Sequence, residues 1–206
     1  MKPFNLILLV GLVALIALII YSLQGGQSAA DYQAFIEKER EDKDAFMKSG
    51  NESPFQKDTI PFEGLKYFPV NEKFNIKASL TPIQEKKVVI LGTSDGLEQK
   101  YLEYAYATFK LDGVENKLLI LELMDAGPLR GKLFLAFADE TSGIETYGAG
   151  RYLDVKRVPA ATTIELDFNL AYNPYCAYTE NFSCPFPPKE NILKVAILAG
   201  EKNYHE

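Results

Sequence analysis

The chain has 206 residues, with 22 basic and 28 acidic side chains, a net charge of −6 and one histidine, His205, next to last. Its charged stretches mix signs, as in Glu37-Lys-Glu-Arg-Glu-Asp-Lys-Asp44, which excludes a nucleic-acid face and a polybasic lipid patch. With the only imidazole in a terminal segment, Ser-His-Asp and Cys-His catalysis are excluded as well.

Leu6 to Tyr21 is an unbroken apolar run flanked by Phe4 and Leu23, preceded by Lys2 and free of charge until Asp31. It is longer than the ~7–15 residues of a signal-peptide core and at the short edge of the ~17–25 that span a bilayer. Residues 1–30 are therefore expected to be a retained transmembrane anchor or a cleaved signal, with Ser28-Ala29-Ala30 as the small-residue cleavage site. Lys2 and the terminal amine favour a cytoplasmic N-terminus. Either form exports residues 31–206 to the cell envelope, anchored to the membrane or released into the periplasm.

From Asp31 to Ser49 the apolar residues Tyr32, Phe35, Ile36, Phe46 and Met47 lie near a 3.6 period, with Ser28 as N-cap and Gly50 as stop. The charged middle interrupts this stripe, so residues 31–50 are predicted to be a helical stalk packed at its ends. Residues 51–206 form a β-rich domain. An irregular aromatic segment, 51–69, precedes alternating or β-branched runs at 74–80 and 87–91. Residues 101–111 and 117–124 should form a hairpin around Asp112-Gly113, its loop running to Asn116. Further strands are expected at 131–138, 151–155, 163–168 and 192–199. No helical segment recurs between strands, which favours a mainly β fold, an antiparallel sandwich or barrel-like domain with one N-terminal amphipathic helix.

Residues 144–202 hold most of what is unusual. Thr146-Tyr-Gly-Ala-Gly-Arg-Tyr-Leu153, Leu166-Asp-Phe-Asn-Leu-Ala-Tyr-Asn-Pro174, Cys176-Ala-Tyr178, Cys184-Pro-Phe-Pro-Pro-Lys-Glu-Asn191 and Ala199-Gly-Glu-Lys202 resemble an uncharacterised bacterial family, domain of unknown function 1684. Ser53-Pro-Phe55 and Phe62-Glu-Gly-Leu-Lys-Tyr-Phe-Pro69 extend the resemblance to roughly 35–202. The resemblance implies no activity; it groups these residues.

Polar side chains in this stretch are costly to bury unpaired, so they should share a network. Arg151, Tyr147, Glu145, Asp167, Asn169, Tyr172, Asn173 and Glu201 are expected to form a polar, aromatic-rimmed pocket for an anionic or sugar-like ligand, Arg151 supplying a two-pronged donor. The competing reading is that Arg151 ties the 172–191 loop down through backbone carbonyls, with Glu145 or Glu201 as its ion-pair partner. Cys176 and Cys184, in an oxidising compartment, are expected to be disulfide-bonded. Two thiolates without a nearby histidine are too few for a metal, and no cofactor motif is present: Gly148-Ala-Gly150 lacks a third glycine and leads into a strand. The expected function is an exported envelope domain with a binding or structural role. The alternative is a carboxylate-dependent hydrolase drawing on Asp139, Glu145, Asp154, Asp167, Glu190 or Glu201.

Overall fold

In the computed structural model, which describes residues 28–58, 60–124 and 127–205, the sheet is built outward from one long hairpin. β3 (Glu98–Leu111) and β4 (Val114–Leu123) are joined by Asp112-Gly113 alone. Both turn residues have positive φ, 52° and 81°, as a two-residue turn that follows the strand twist demands. The loop expected to reach Asn116 is therefore shorter, because residues 114–116 continue the ladder, with Val114 opposite Leu111 and Asn116 opposite Phe109.

β1 (Asn75–Pro82) and β2 (Val88–Gly92) share the other edge of β3, pairing with residues 105–108 and 98–102 respectively. β5 (Leu133–Phe137) pairs with β4, β6 (Arg151–Leu153) with β5, and β7 (Thr163–Asp167) with β1. All these pairings are antiparallel, giving one half-barrel sheet in the order β6-β5-β4-β3-β1-β7, with β2 beside β3. The expected mainly β, antiparallel and barrel-like character holds as a half-barrel, while the sandwich alternative is corrected to a single sheet.

The main core lies on one face of it, where Phe74, Ala78, Leu118, Ile120, Phe137 and Phe168 are buried together. The expected strand 192–199 is the main departure. Its alternation is real, since Leu193, Val195, Ile197 and Ala199 all enter that core. However, the segment forms no named strand: it meets the sheet at one isolated parallel bridge, Ala138–Ile192, with Leu193 N donating to Ala138 O and Glu140 N to Val195 O, and beyond it the Ile197 and Ala199 carbonyls are taken by a side chain described below.

The chain divides into two compact units at Phe35/Ile36, within α1 (Ala29–Ser49). In the first, Ser28 caps the helix as expected: its Oγ accepts from Asp31 N at 3.1 Å and donates to Asp31 Oδ2 at 2.7 Å. In the second, the end of α1 meets α2 (Pro54–Asp58), and Met47, Phe55 and Tyr178 form a separate buried cluster. Among the described residues no helix is long and apolar enough to cross a membrane. The run 6–21, expected to do so, lies outside the described residues.

β4 and β5 pair only at Leu121–Phe134 and Glu122–Leu133 before they part. Asn191 fills the gap. Its side chain accepts from Leu119 N at 2.6 Å and donates to Leu119 O at 2.9 Å and Ala136 O at 2.8 Å, imitating a ladder residue. Asn191→Ala orphans three buried backbone groups and should cost about 3 kcal/mol, read as a shift in urea midpoint. A loss below about 0.5 kcal/mol, the range of an uninvolved surface site, would show that Asn191 is not part of the sheet.

Candidate functional site

Gly150 and Arg151 open β6. Gly150 has φ +88°, and a Cβ there would stand 2.5 Å from Phe137 O and 2.7 Å from Pro187 Cγ, so β6 approaches β5 more closely than any side chain permits. Arg151 follows with 0% exposure. Its Nη1 donates to Ala199 O and, at 3.1 Å, to Glu201 O. Its Nη2 donates to Ile197 O and to Asp139 Oδ2, both at 2.9 Å. The guanidinium also lies 5.3 Å from the Phe137 ring centroid. Burial pulls its pKa below the ordinary arginine value, opposed by Asp139. Asp139 is held in turn, its Oδ1 accepting from Thr141 N at 2.9 Å, Thr141 Oγ1 at 2.6 Å and Ile197 N at 3.2 Å.

The guanidinium's four terminal N–H groups are spoken for, and the group has no surface from which a ligand could be met. Arg151 is a tether. The segment it ties is 197–201, not the 172–191 loop, and its carboxylate partner is Asp139, not Glu145 or Glu201. Glu145 is exposed and stands outside the network.

Glu201 is also buried, with a different set of partners. Lys43 Nζ, from α1, meets Oε1 at 2.5 Å, while Tyr178 Oη at 2.5 Å and Asn173 N at 2.9 Å donate to Oε2. Lys43 Nζ sits 4.0 Å from the centre of the Tyr172 ring, whose hydroxyl donates to Asp154 at 2.9 Å. Burial, then Glu201, pushes the Tyr178 phenol pKa up. Asn173 anchors the C-terminal segment by donating to Lys202 O at 2.8 Å. Asp167 and Asn169 belong to a third cluster: Asp167 caps Asn169, whose side chain brackets Asn71 through both its N–H and its carbonyl, each at 2.9 Å. Arg40 of α1 donates to Asn169 O at 3.2 Å and Phe68 O at 2.9 Å.

Residues 36–49 of the expected stalk therefore dock through their charged centre. Arg40 and Lys43 were missed because a gap in an apolar stripe reads as a solvated face. Only the excess of buried acceptors downstream hints that cations must come from elsewhere.

Tyr147 lies with the cysteines: its hydroxyl donates to Cys176 Sγ at 3.6 Å. The expected disulfide is absent. Both cysteines are free thiols, and the 176–184 loop is closed by Cys176 N donating to Cys184 Sγ at 3.3 Å.

The open feature of this region is a groove of about 560 Å³ between Val89–Gly92 of β2 and a strap, residues 186–190. The strap begins as a strand added to β2. Thr93 bridges Pro185, Ser94 N donates to Cys184 O at 3.0 Å, and Phe186 N donates to Gly92 O at 2.9 Å. Pro187 and Pro188 then have no N–H to offer, and the strap leaves β2 for Asn191 and β4. Thr93 N donates to Leu97 O and Glu103 N to Lys87 O, so residues 87, 89, 91 and 93 turn their backbone groups toward β3. Those of Val88, Ile90 and Gly92 face outward. Gly92 O is used by the strap; among the described residues no backbone group pairs with Val88 or Ile90 on that edge. The two residues are 51% and 53% exposed.

A family model described as "Protein of unknown function (DUF1684)" matches residues 61–202. The chain is 34% identical to an uncharacterized protein of Haloarcula marismortui, known from a solution NMR structure; the match covers 86% of this chain and 97% of that one, with a TM-score of 0.64. No curated protein matches.

Removing Arg151 leaves Asp139 and three carbonyls buried without their donor, so Arg151→Ala should cost about 3–5 kcal/mol in a denaturant melt. Adding Asp139→Asn to Arg151→Met should lose less than the two single changes summed, with a coupling of about 1–3 kcal/mol. A strictly additive pair would break the proposed tie.

Proposed function

The chain belongs to the DUF1684 family, and we propose that it is a binding module that takes an extended apolar peptide as an added strand on the edge of β2. The observation that carries this is the outward-facing backbone of Val88 and Ile90, unpaired among the described residues, beside a groove whose far wall is Phe186, Pro187 and Pro188. Unpaired strand edges are templates for another chain, and proteins ordinarily blunt them. Among the described residues the only cover stops at Gly92, and exposed Val88, Ile90 and Phe186 offer apolar contact alongside. Main-chain hydrogen bonds would supply affinity, and alternate side chains of the peptide would enter the groove.

In this reading the apolar run 6–21 holds the module at the membrane with its groove outside the cytoplasm, so the partner is an envelope or exported polypeptide. The buried acids Asp139 and Glu201 are engaged in ion pairs and hydrogen bonds, which gives the hydrolase alternative and a ligand site at Arg151 no support.

The test uses fluorescent hexapeptides of alternating Val and Ile, titrated onto the full-length protein in detergent and followed by anisotropy. Saturable binding is expected. N-methylation of the amides facing β2 removes up to two hydrogen bonds and should weaken it by about tenfold, and Ile90→Pro should weaken it comparably. Equal affinity for the methylated peptide, or no binding by any peptide of this class, overturns the proposal.

A further inference from the structure

Cys176 and Cys184 are placed unequally. Cys184 is buried and pinned, its N–H donating to Ser94 Oγ at 3.1 Å and its Sγ accepting from Cys176 N at 3.3 Å. Cys176 is only half-buried and receives a hydrogen bond from Tyr147 Oη at 3.6 Å. Two cysteines at opposite ends of one tight loop, one half-buried and one buried, match the arrangement that thiol–disulfide exchange uses: a more accessible attacking thiol and a more sheltered one that can follow it.

We propose that Cys176 and Cys184 form a thiol–disulfide exchange site, Cys176 as the attacking sulfur and Cys184 as the resolving one. The Cys176 thiolate attacks a sulfur of a small disulfide, forming a mixed disulfide and expelling one thiolate. Cys184 Sγ then gives up its proton to that leaving group and attacks Cys176 Sγ, expelling the second. The chain loses two hydrogens, and the oxidant is reduced to two thiols. Hydrogen bonding from Cys184, then from Tyr147 and Ser94, lowers the Cys176 pKa to about 6, while the same contact raises that of Cys184. Those contacts favour the thiolate on Cys176 and the thiol on Cys184. Tyr147, whose own pKa is raised mainly by burial, stays a proton donor throughout. This site does not depend on what occupies the β2 groove.

Reduced full-length protein, freed of reductant, is mixed with excess dithiobis-nitrobenzoate. The native chain should release two thionitrobenzoates and end unlabelled, two hydrogens lighter by intact mass. Cys184→Ser should release one and keep its label. Cys176→Ser should react at least about tenfold more slowly, since only the sheltered thiol remains. The native rate should climb as pH rises through about 6 and then level off. Labels retained on both cysteines of the native chain, or a Cys176→Ser variant as fast as Cys184→Ser, would refute the assignment. The native mass alone decides the matter if either variant fails to fold.

Discussion

A guanidinium removed from water must have its charge met by the protein, and the C-terminal third of this chain is arranged around that requirement. Arg151 takes one carboxylate and three backbone carbonyls, and those carbonyls all lie within Ile197–Glu201. A segment that alternates like a strand is thereby held against the core by a side chain, with Asp139 clamped between Thr141 and Ile197 to receive the charge. The desolvation of such an ion pair offsets much of its Coulombic gain, so its contribution is better described as fixing one arrangement than as adding net stability. Gly150 completes the constraint, since only a residue without Cβ lets β6 bring Arg151 under the Phe137 ring.

Cations on a helix do the same for a second buried acid. Lys43 reaches Glu201 and Arg40 reaches the carbonyls of Phe68 and Asn169, so α1 from Ile36 onward is joined to the domain by charge in its middle and by apolar contact at Met47. With Tyr178 donating to the other oxygen of Glu201, the polar residues first suspected of lining a pocket instead bind the chain to itself.

Much of this was legible in advance, for identifiable reasons. Seven runs of period-two or β-branched residues gave seven strands, since burial on one face of a sheet writes alternation directly into sequence. The same rule misled at 192–199, because alternation reports which side chains are buried and says nothing of where the backbone hydrogen bonds go. The grouping of Arg151, Tyr172, Asn173 and Glu201 was visible as an excess of polar side chains among aromatics, as was their need for a network; its division into one set around Asp139 and another around Glu201 was not. Arg40 and Lys43 were passed over because a charged helix face is ordinarily solvated, and Asp139, counted among the candidate carboxylates, was not matched to Arg151 because a turn acid is ordinarily solvated too. The unpaired edge of β2 depends on register, on which residue of each pair turns outward, and on where Pro187 falls relative to Gly92, none of which a single strand's sequence contains.

Pro187 and Pro188 do more than end a ladder. Consecutive prolines hold φ near one value even in the unfolded chain, so the wall they form gives up little conformational freedom on becoming ordered and has little left to lose when something lies against it. A cleft with one side set in this way is already close to its filled shape while empty, and the entropic toll of association falls mainly on whatever enters.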